Sequence, residues 1–183
     1  MNIFEFINFL SMIPALILSM AIIIGMGYGL NFLRKLRFAG SSQARGQVVS
    51  GIELFWLGIA MVVMIQFPDF IQDSVMTMTG TALEPVNPLS WDKIGQTDDS
   101  EVLVATLFYR FFQVYGLVTL FNFGTSLAAM GDPQQRGKVT AGGLAVRFVA
   151  GVMLMMPTAT AEGVGLLFPL VGAFGDWMSQ NRL

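Results

Sequence analysis

The sequence predicts an all-α integral membrane protein with four transmembrane helices, arranged as two helical hairpins that repeat in parallel orientation. Three observations support this fold class. Hydrophobic residues make up 54% of the 183-residue chain and charged residues only 12%, with a mean hydropathy of +0.65; a soluble domain carries about a quarter charged residues. The apolar residues fall in four long runs, and one polar loop phrase occurs twice. Long apolar runs favour helices, because lipid offers no hydrogen-bond partners to an open backbone.

The four runs are each near the ~20 residues that a helix needs to cross ~30 Å of hydrocarbon. They cover residues ~10–33, ~51–71, ~102–129 and ~143–161. The first run lacks the basic start of a signal peptide and exceeds the length of its apolar region, so we expect a retained helix. Pro14 is predicted in the first turns of that helix, where a missing N–H costs little.

These spans divide the chain into four parts. Residues 1–71 form a first transmembrane hairpin, 72–101 an acidic extracytoplasmic loop, 102–162 a second transmembrane hairpin, and 163–183 a Gly/Pro-containing interfacial tail. The apolar part of the tail is too short to span alone, so it is re-entrant, interfacial, or a surface for a neighbouring subunit. The acidic loop is either a linker or a contact for an outer subunit.

Loop charges predict the orientation. The short loops 34–50 and 131–142 carry four and two basic residues, whereas the long loop carries six acidic residues and one lysine. Under the positive-inside rule the short loops are cytoplasmic and both termini are extracytoplasmic. The sequence therefore predicts a protein that crosses its membrane several times, with the two short loops on the cytoplasmic face.

The repeated phrase is QARGQVVSG in the first half and QQRGKVTAG in the second. A shift of 91 residues superposes them, and nine of twenty-one positions in 31–51 and 122–142 are identical. Two crossings per unit return the chain to its starting side, so the two copies keep the same orientation, unlike the inverted repeats of many transporters.

Each repeat carries the same polar residues in its cytoplasmic loop. Glycine permits a tight turn, and arginine can satisfy helix carbonyls or reach anionic lipid head groups. The loop is therefore either a turn with a topology charge or a docking site. Each second helix also ends near a proline, Pro68 or Pro157. The loop residues are Gln43, Arg45 and Gly46 in the first repeat and Gln134, Arg136 and Gly137 in the second.

Ionisable residues inside the spans predict one structural ion pair. Arg110 lies about 12 Å below the outer surface, where an unpaired charge is costly. Glu162 and Arg110 are each 26 residues from Arg136, so antiparallel neighbours would place them at one depth. We expect this pair to serve packing or assembly rather than proton transport. Glu53 and Arg147 lie near cytoplasmic helix starts, where they either snorkel to the interface or pair between repeats.

The chain has no cysteine and no histidine. Thiolate nucleophiles, disulfides, Cys/His metal sites and histidine bases are thereby excluded, and no P-loop or dinucleotide-binding motif is present. We expect no catalytic residue, no cofactor and no metal. A net charge of −2 also argues against sequence-specific binding of nucleic acid.

The tandem hairpins, the QxRG-type loops, the proline-terminated helices and the segment MGDPQQRGKVTAGG carry a family resemblance. Over residues ~10–160 the chain resembles small inner-membrane proteins of type IVB secretion and IncI-type conjugation systems, the IcmC/DotE, DotV and TraQ group. The resemblance implies a non-enzymatic, multi-pass subunit in the bacterial inner membrane, part of an apparatus that moves protein or DNA into another cell. Its partners would be other membrane subunits of that apparatus, in a homo- or hetero-oligomer, and membrane lipids. The alternatives are a pilin-like subunit of a ring or filament and a small transporter or channel.

Overall fold

The computed structural model describes residues 3–39, 49–80, 100–132, 135 and 138–181. All regular elements in these ranges are helices, so the all-α prediction is confirmed for this part of the chain. In chain order they are α1 (Ile3–Ala39), α2 (Gly51–Ile65), α3 (Phe67–Thr79), α4 (Ser100–Gly131), α5 (Ala141–Met155), α6 (Pro157–Gly165) and α7 (Pro169–Asn181).

Two of these helices are long and apolar enough to cross a membrane, namely α1 over Glu5–Ala39 and α4 over Ser100–Gly131. Two further candidates are bent pairs, in which α3 leaves α2 at 90° and α6 leaves α5 at 104°. The helices α2 and α5 have 15 residues each, or about 22 Å at helical rise, which is less than ~30 Å of hydrocarbon. The described chain therefore has two to four candidate spans.

Each bend occurs at a single residue that lies one or two positions before a proline. Gln66 separates α2 from α3, with Pro68 in the first turn of α3; Met156 separates α5 from α6, which starts at Pro157. Proline has no N–H and its ring clashes with the carbonyl four residues earlier, so it stops the preceding helix but is accepted at the start of the next. The predicted spans 51–71 and 143–161 each contain such a break.

Three helix boundaries differ from the sequence-based expectation. Helix α1 continues to Ala39, so residues 34–39, expected in the first short loop, are helical. Because α1 begins at Ile3, Pro14 lies in the helix interior and not in its first turns. Residues 72–79, expected in a loop, continue α3 as far as Gly80, whose φ of +72° and N–H bond to the Met76 carbonyl form a glycine helix stop. At all three boundaries polar or charged residues beside the apolar run are helical.

The core lies where the helices surround α4, which contacts α1, α2, α5, α6 and α7. Phe67 is fully buried and its ring meets Phe121 edge to face at 6.2 Å, so the first residue of α3 anchors that helix in the core. The buried core residues come from the first five helices: Ile17, Ala21, Met64, Phe67, Ile71, Val75, Leu117, Leu120, Val152 and Met155.

The two helix pairs α1–α2 and α4–α5 each cross at a glycine. A Cβ at Gly25 would lie 2.8 Å from the Ile65 nitrogen, and a Cβ at Gly116 would lie 2.8 Å from the Met155 nitrogen. Such distances leave no space for any larger residue without backbone movement. Gly25 and Gly116 are 91 positions apart, which is the shift that superposes the two loop phrases.

Candidate functional site

A polar cleft lies where α1, α2 and α4 meet, at the end of α1 that carries its basic residues. The cavity is about 250 Å³ and brings one ammonium, two carboxylates and several neutral polar groups together between apolar helices. Such a concentration of polar groups is unusual in a chain with this composition. The residues that line the cleft are Tyr28, Asn31, Lys35, Glu53, Leu57, Thr125, Ala128, Ala129, Asp132 and Gln135.

An ion pair between Lys35 and Glu53 joins α1 to α2 in this cleft. The Lys35 Nζ donates to Glu53 Oε1, and the side chains are 31% and 14% exposed. A charge-assisted hydrogen bond is stronger than a neutral one, and partial burial reduces its screening by water. The pair therefore holds the two helices of the first hairpin at a fixed register.

Helix α4 approaches the same ion pair through a glycine. A Cβ at Gly131 would lie 2.8 Å from Glu53 Cα and 3.0 Å from its carbonyl oxygen. Two turns earlier in α4, a Cβ at Gly124 would lie 2.5 Å from the sulfur of Met64. The absence of side chains at these two positions lets α4 lie directly on α2, so the cleft is the joint between the first hairpin and the rest of the molecule.

The second hairpin has its own polar contact between helices. Arg147 Nη1, on α5, donates to Ser126 Oγ, on α4, at 2.7 Å. Ser126 lies 91 positions after Lys35, so corresponding residues of α4 and α1 both hold a polar contact to the next helix. In the first hairpin the cation is on the first helix, and in the second it is on the second helix.

A second concave region, the break groove, lies beside the bend between α2 and α3, with a volume of about 380 Å³. It contains Asp69 and Asp73, both exposed and one turn apart on α3, together with Gln66 and Ser74. The Ser74 hydroxyl donates to the Phe70 carbonyl at 2.6 Å, so this hydroxyl is used within its own helix.

Both regions offer groups for hydrogen bonding and ion pairing. Within the described ranges, no group of three or more His, Cys, Asp or Glu side chains could hold a metal ion. The polar cleft offers an ammonium beside carboxylates, which suits contacts between protein segments or with a zwitterionic group. The carboxylates of the break groove suit a cationic partner.

The residues of the predicted ion pair lie on α4 and α6. Arg110 Nη1 donates to Gln113 Oε1 at 3.0 Å, and its guanidinium lies 6.0 Å from the centre of the Tyr109 ring. Glu162 is exposed on α6. The pairing of Arg110 with Glu162 stays a prediction.

The other predicted site residues divide into two groups. Pro68 and Pro157 lie in the first turns of α3 and α6, directly after the bends. The six loop residues lie outside the described residues: Gln43, Arg45, Gly46, Gln134, Arg136 and Gly137.

Sequence reasoning missed Lys35 as a partner. It counted Lys35 among the basic residues of the predicted loop 34–50 and considered Glu53 separately. The signal was present, because Lys35 and Glu53 are each nine residues from position 44 in the connecting loop. The equal-depth argument used for Arg110 and Glu162 applies equally well to this pair.

Comparison with family models, with curated proteins and with solved structures finds no match to this chain.

Proposed function

We propose that the chain is a non-enzymatic subunit of a bacterial type IVB or IncI-like secretion or conjugation apparatus, embedded in the inner membrane by four spans. The spans form two hairpins in the same orientation, with both termini extracytoplasmic. Its role is to contribute to the assembly of the channel complex, through contacts with other membrane subunits or with further copies of itself.

The observation that supports this proposal most is the correspondence of contacts between the two halves. The crossing glycines Gly25 and Gly116, and the polar residues Lys35 and Ser126, are each separated by the same 91 residues. Helices of 15 residues follow in both halves and end at a bend. A duplicated hairpin accounts for all of these features together.

The distribution of polar groups also supports a role in assembly. The polar contacts between Lys35 and Glu53 and between Arg147 and Ser126 connect helices of this chain. Large apolar side chains are exposed along one side of α1 over most of its length, as in a helix that faces lipid or another subunit. They are Phe9, Met12, Leu16, Ile23, Met26, Leu30 and Leu33.

The exposed side of α1 also favours the second candidate function, a pilin-like subunit that assembles into a ring or filament. A self-assembling subunit needs a continuous surface for another copy, and α1 offers one. Electron microscopy of the protein purified in mild detergent separates the two candidates, because the pilin-like function predicts regular rings or tubes formed by this chain alone.

Deletion of the gene in its bacterial host tests the leading proposal. We expect transfer of protein or DNA into recipient cells to be lost while growth is unchanged, and the wild-type gene to restore transfer. A tagged chain should copurify with other membrane subunits of the apparatus. Normal transfer by the deletion strain would contradict the proposal, and flux of ions or solutes through liposomes that contain only this protein would favour a transporter.

A further inference from the structure

The turn between α6 and α7 carries the large apolar side chains with the highest fractional exposure in the described chain. Leu166 and Leu170 are each 88% exposed and Leu167 is 79% exposed, the highest values among the large apolar side chains described. Phe168, between them, is 62% exposed. We call residues 166–170 the tip. Such a cluster needs a partner, because exposed apolar patches on soluble surfaces are unfavourable.

The tip belongs to a rigid hairpin rather than to a loose tail. A Cβ at Gly165 would lie 2.5 Å from Gly172 Cα, so α6 and α7 are in direct backbone contact. The hairpin is fastened to α4 where Phe174 meets Phe108 edge to face at 6.0 Å, and Met178 is fully buried. The position of the tip is therefore determined by the bundle.

Three N–H groups in and beside the turn are bonded within the hairpin. The N–H groups of Leu167 and Phe168 both donate to the Val164 carbonyl at 2.9 Å. The N–H of Val171 donates to the Phe168 carbonyl at 2.9 Å, and Pro169 has no N–H to satisfy. Internal bonding of this kind is required of backbone that contacts lipid.

Two contacts determine the level of the hairpin along α4. The chain enters α6 beside Gly116, because a Cβ there would lie 2.8 Å from the Met155 nitrogen, and α7 meets α4 at Phe108. Both levels lie inside the predicted span 102–129. The bend of 104° exceeds a right angle, so α6 runs sideways and slightly back toward the side from which α5 comes. The tip thus lies at hydrocarbon depth.

The positions of the charged side chains in the hairpin agree with this depth. Residues 163–175 contain no charged side chain. The flanking carboxylates Glu162 and Asp176 lie about one to two helical turns from the tip, within α6 and α7. A Cβ at Gly175 would lie 3.5 Å from the Glu162 nitrogen, which places the two carboxylate positions side by side. The hairpin is therefore uncharged from its tip back to this pair of positions.

From these observations we infer that the α6–α7 hairpin lies within the membrane and that its tip inserts laterally among lipid acyl chains, in the leaflet farther from the polar cleft. The inference rests on the proposed membrane location of the chain. Its partner is lipid, because the tip has the depth and the uncharged sequence that lipid demands, and most N–H groups of its turn are bonded within the hairpin.

Depth-dependent fluorescence quenching tests this inference in the full chain. The natural chain has no cysteine, so Leu167→Cys and, as a second position, Leu170→Cys can each carry a single fluorophore after reconstitution into phosphatidylcholine vesicles. Ile23→Cys, on the exposed side of α1, is the lipid-facing reference. We expect lipids brominated on their acyl chains to quench positions 167 and 170 as strongly as position 23, and aqueous iodide to leave all three unchanged.

Three other outcomes would overturn the inference, each in a different way. Quenching of positions 167 and 170 by iodide, with position 23 quenched by lipid, would place the tip in water and leave the membrane location intact. Protection from both quenchers, with disulfide cross-linking between copies through position 167, would show that a second subunit covers the tip. Failure of brominated lipid to quench position 23 would contradict the membrane location itself.

Discussion

Both hairpins cross at a glycine, Gly25 in the first and Gly116 in the second, but the segments beyond the crossing are fastened differently. In the first hairpin α3 is anchored by the ring of Phe67, which is fully buried against Phe121. In the second hairpin, the residue 91 positions after Phe67 is Thr158, which is 7% exposed. There α6 packs instead against α7, through glycines.

The difference shows which features a helical hairpin of this kind requires. The crossing tolerates no side chain, because backbone atoms lie within 3 Å of any added Cβ in both hairpins. The polar contact between the helices is exchangeable, since an ion pair serves the first hairpin and a hydrogen bond the second. The segment after the bend is the most variable, because its direction depends on what it packs against.

The largest expected effect is at the anchor of α3. Phe67→Ala should lower the free energy of unfolding by about 3–5 kcal/mol, because it removes a fully buried ring and leaves a cavity. Thr158→Ala, at the corresponding position, should cost only about 1 kcal/mol, since little apolar volume is lost. Reversible unfolding in mixed detergent micelles measures both. Phe55→Ala is the control for removing a phenylalanine ring, because Phe55 is 61% exposed. Equal losses of unfolding free energy at positions 67 and 158 would refute the proposed difference in anchoring.

The next largest effect, destabilisation by a side chain added at the crossing glycines, should be similar in the two hairpins. Gly25→Ala and Gly116→Ala should each destabilise the protein by about 1–3 kcal/mol, because the new methyl group overpacks the crossing against backbone atoms. Gly27→Ala is the matched control on α1, since a Cβ there meets nothing within 4 Å. It should leave stability unchanged or raise it by up to about 1 kcal/mol, through better helix propensity. Destabilisation at only one of the crossings would show that the hairpins are not equivalent.

A smaller effect is expected from the ion pair of the first hairpin. A double-mutant cycle of Lys35→Met and Glu53→Gln should give a coupling free energy of about 1–2 kcal/mol, because each single change leaves a partly buried polar group without its partner. The same cycle with Arg37→Met in place of Lys35→Met is the control, since Arg37 is exposed near the end of α1. A coupling no larger than that of the control would mean that the pair does not hold the helices together.

The smallest effect should come from the contact of the second hairpin. The cycle of Ser126→Ala and Arg147→Met should give a coupling of about 0.5 kcal/mol, because the arginine is exposed and its partner is neutral. A coupling larger than that of Lys35 with Glu53 would reverse the order of the two contacts and show that exposure does not govern them.

The all-α class and the long apolar helices could be predicted, because a high apolar content in runs of about 20 residues is typical of helices surrounded by lipid. The prolines also marked where α2 and α5 stop. The bends could not be predicted, because the direction of α3 depends on Phe67 entering the core rather than on any local preference. The continuation of α3 beyond the apolar run could have been predicted, because the apolar residues Phe67, Ile71 and Val75 recur at helical spacing. All three are buried.

The interpretation of charges was less successful, for a physical reason. A lysine at the end of an apolar run satisfies the positive-inside rule whether or not it has a partner, so the rule concealed the contact between Lys35 and Glu53. The interior position of Pro14 was missed because the helix start was placed by hydropathy alone, whereas α1 continues through Glu5. Both errors arise from treating the edge of an apolar run as the end of a helix.

Sidedness of the two repeated loops tests most directly whether the chain consists of two membrane hairpins in the same orientation. Arg45→Cys and Arg136→Cys, each the single cysteine of its variant, are treated with a membrane-impermeant maleimide in intact cells and in inverted vesicles. The account predicts that both positions react only in inverted vesicles, from the cytoplasmic face. Reaction of the two positions from opposite faces would contradict it.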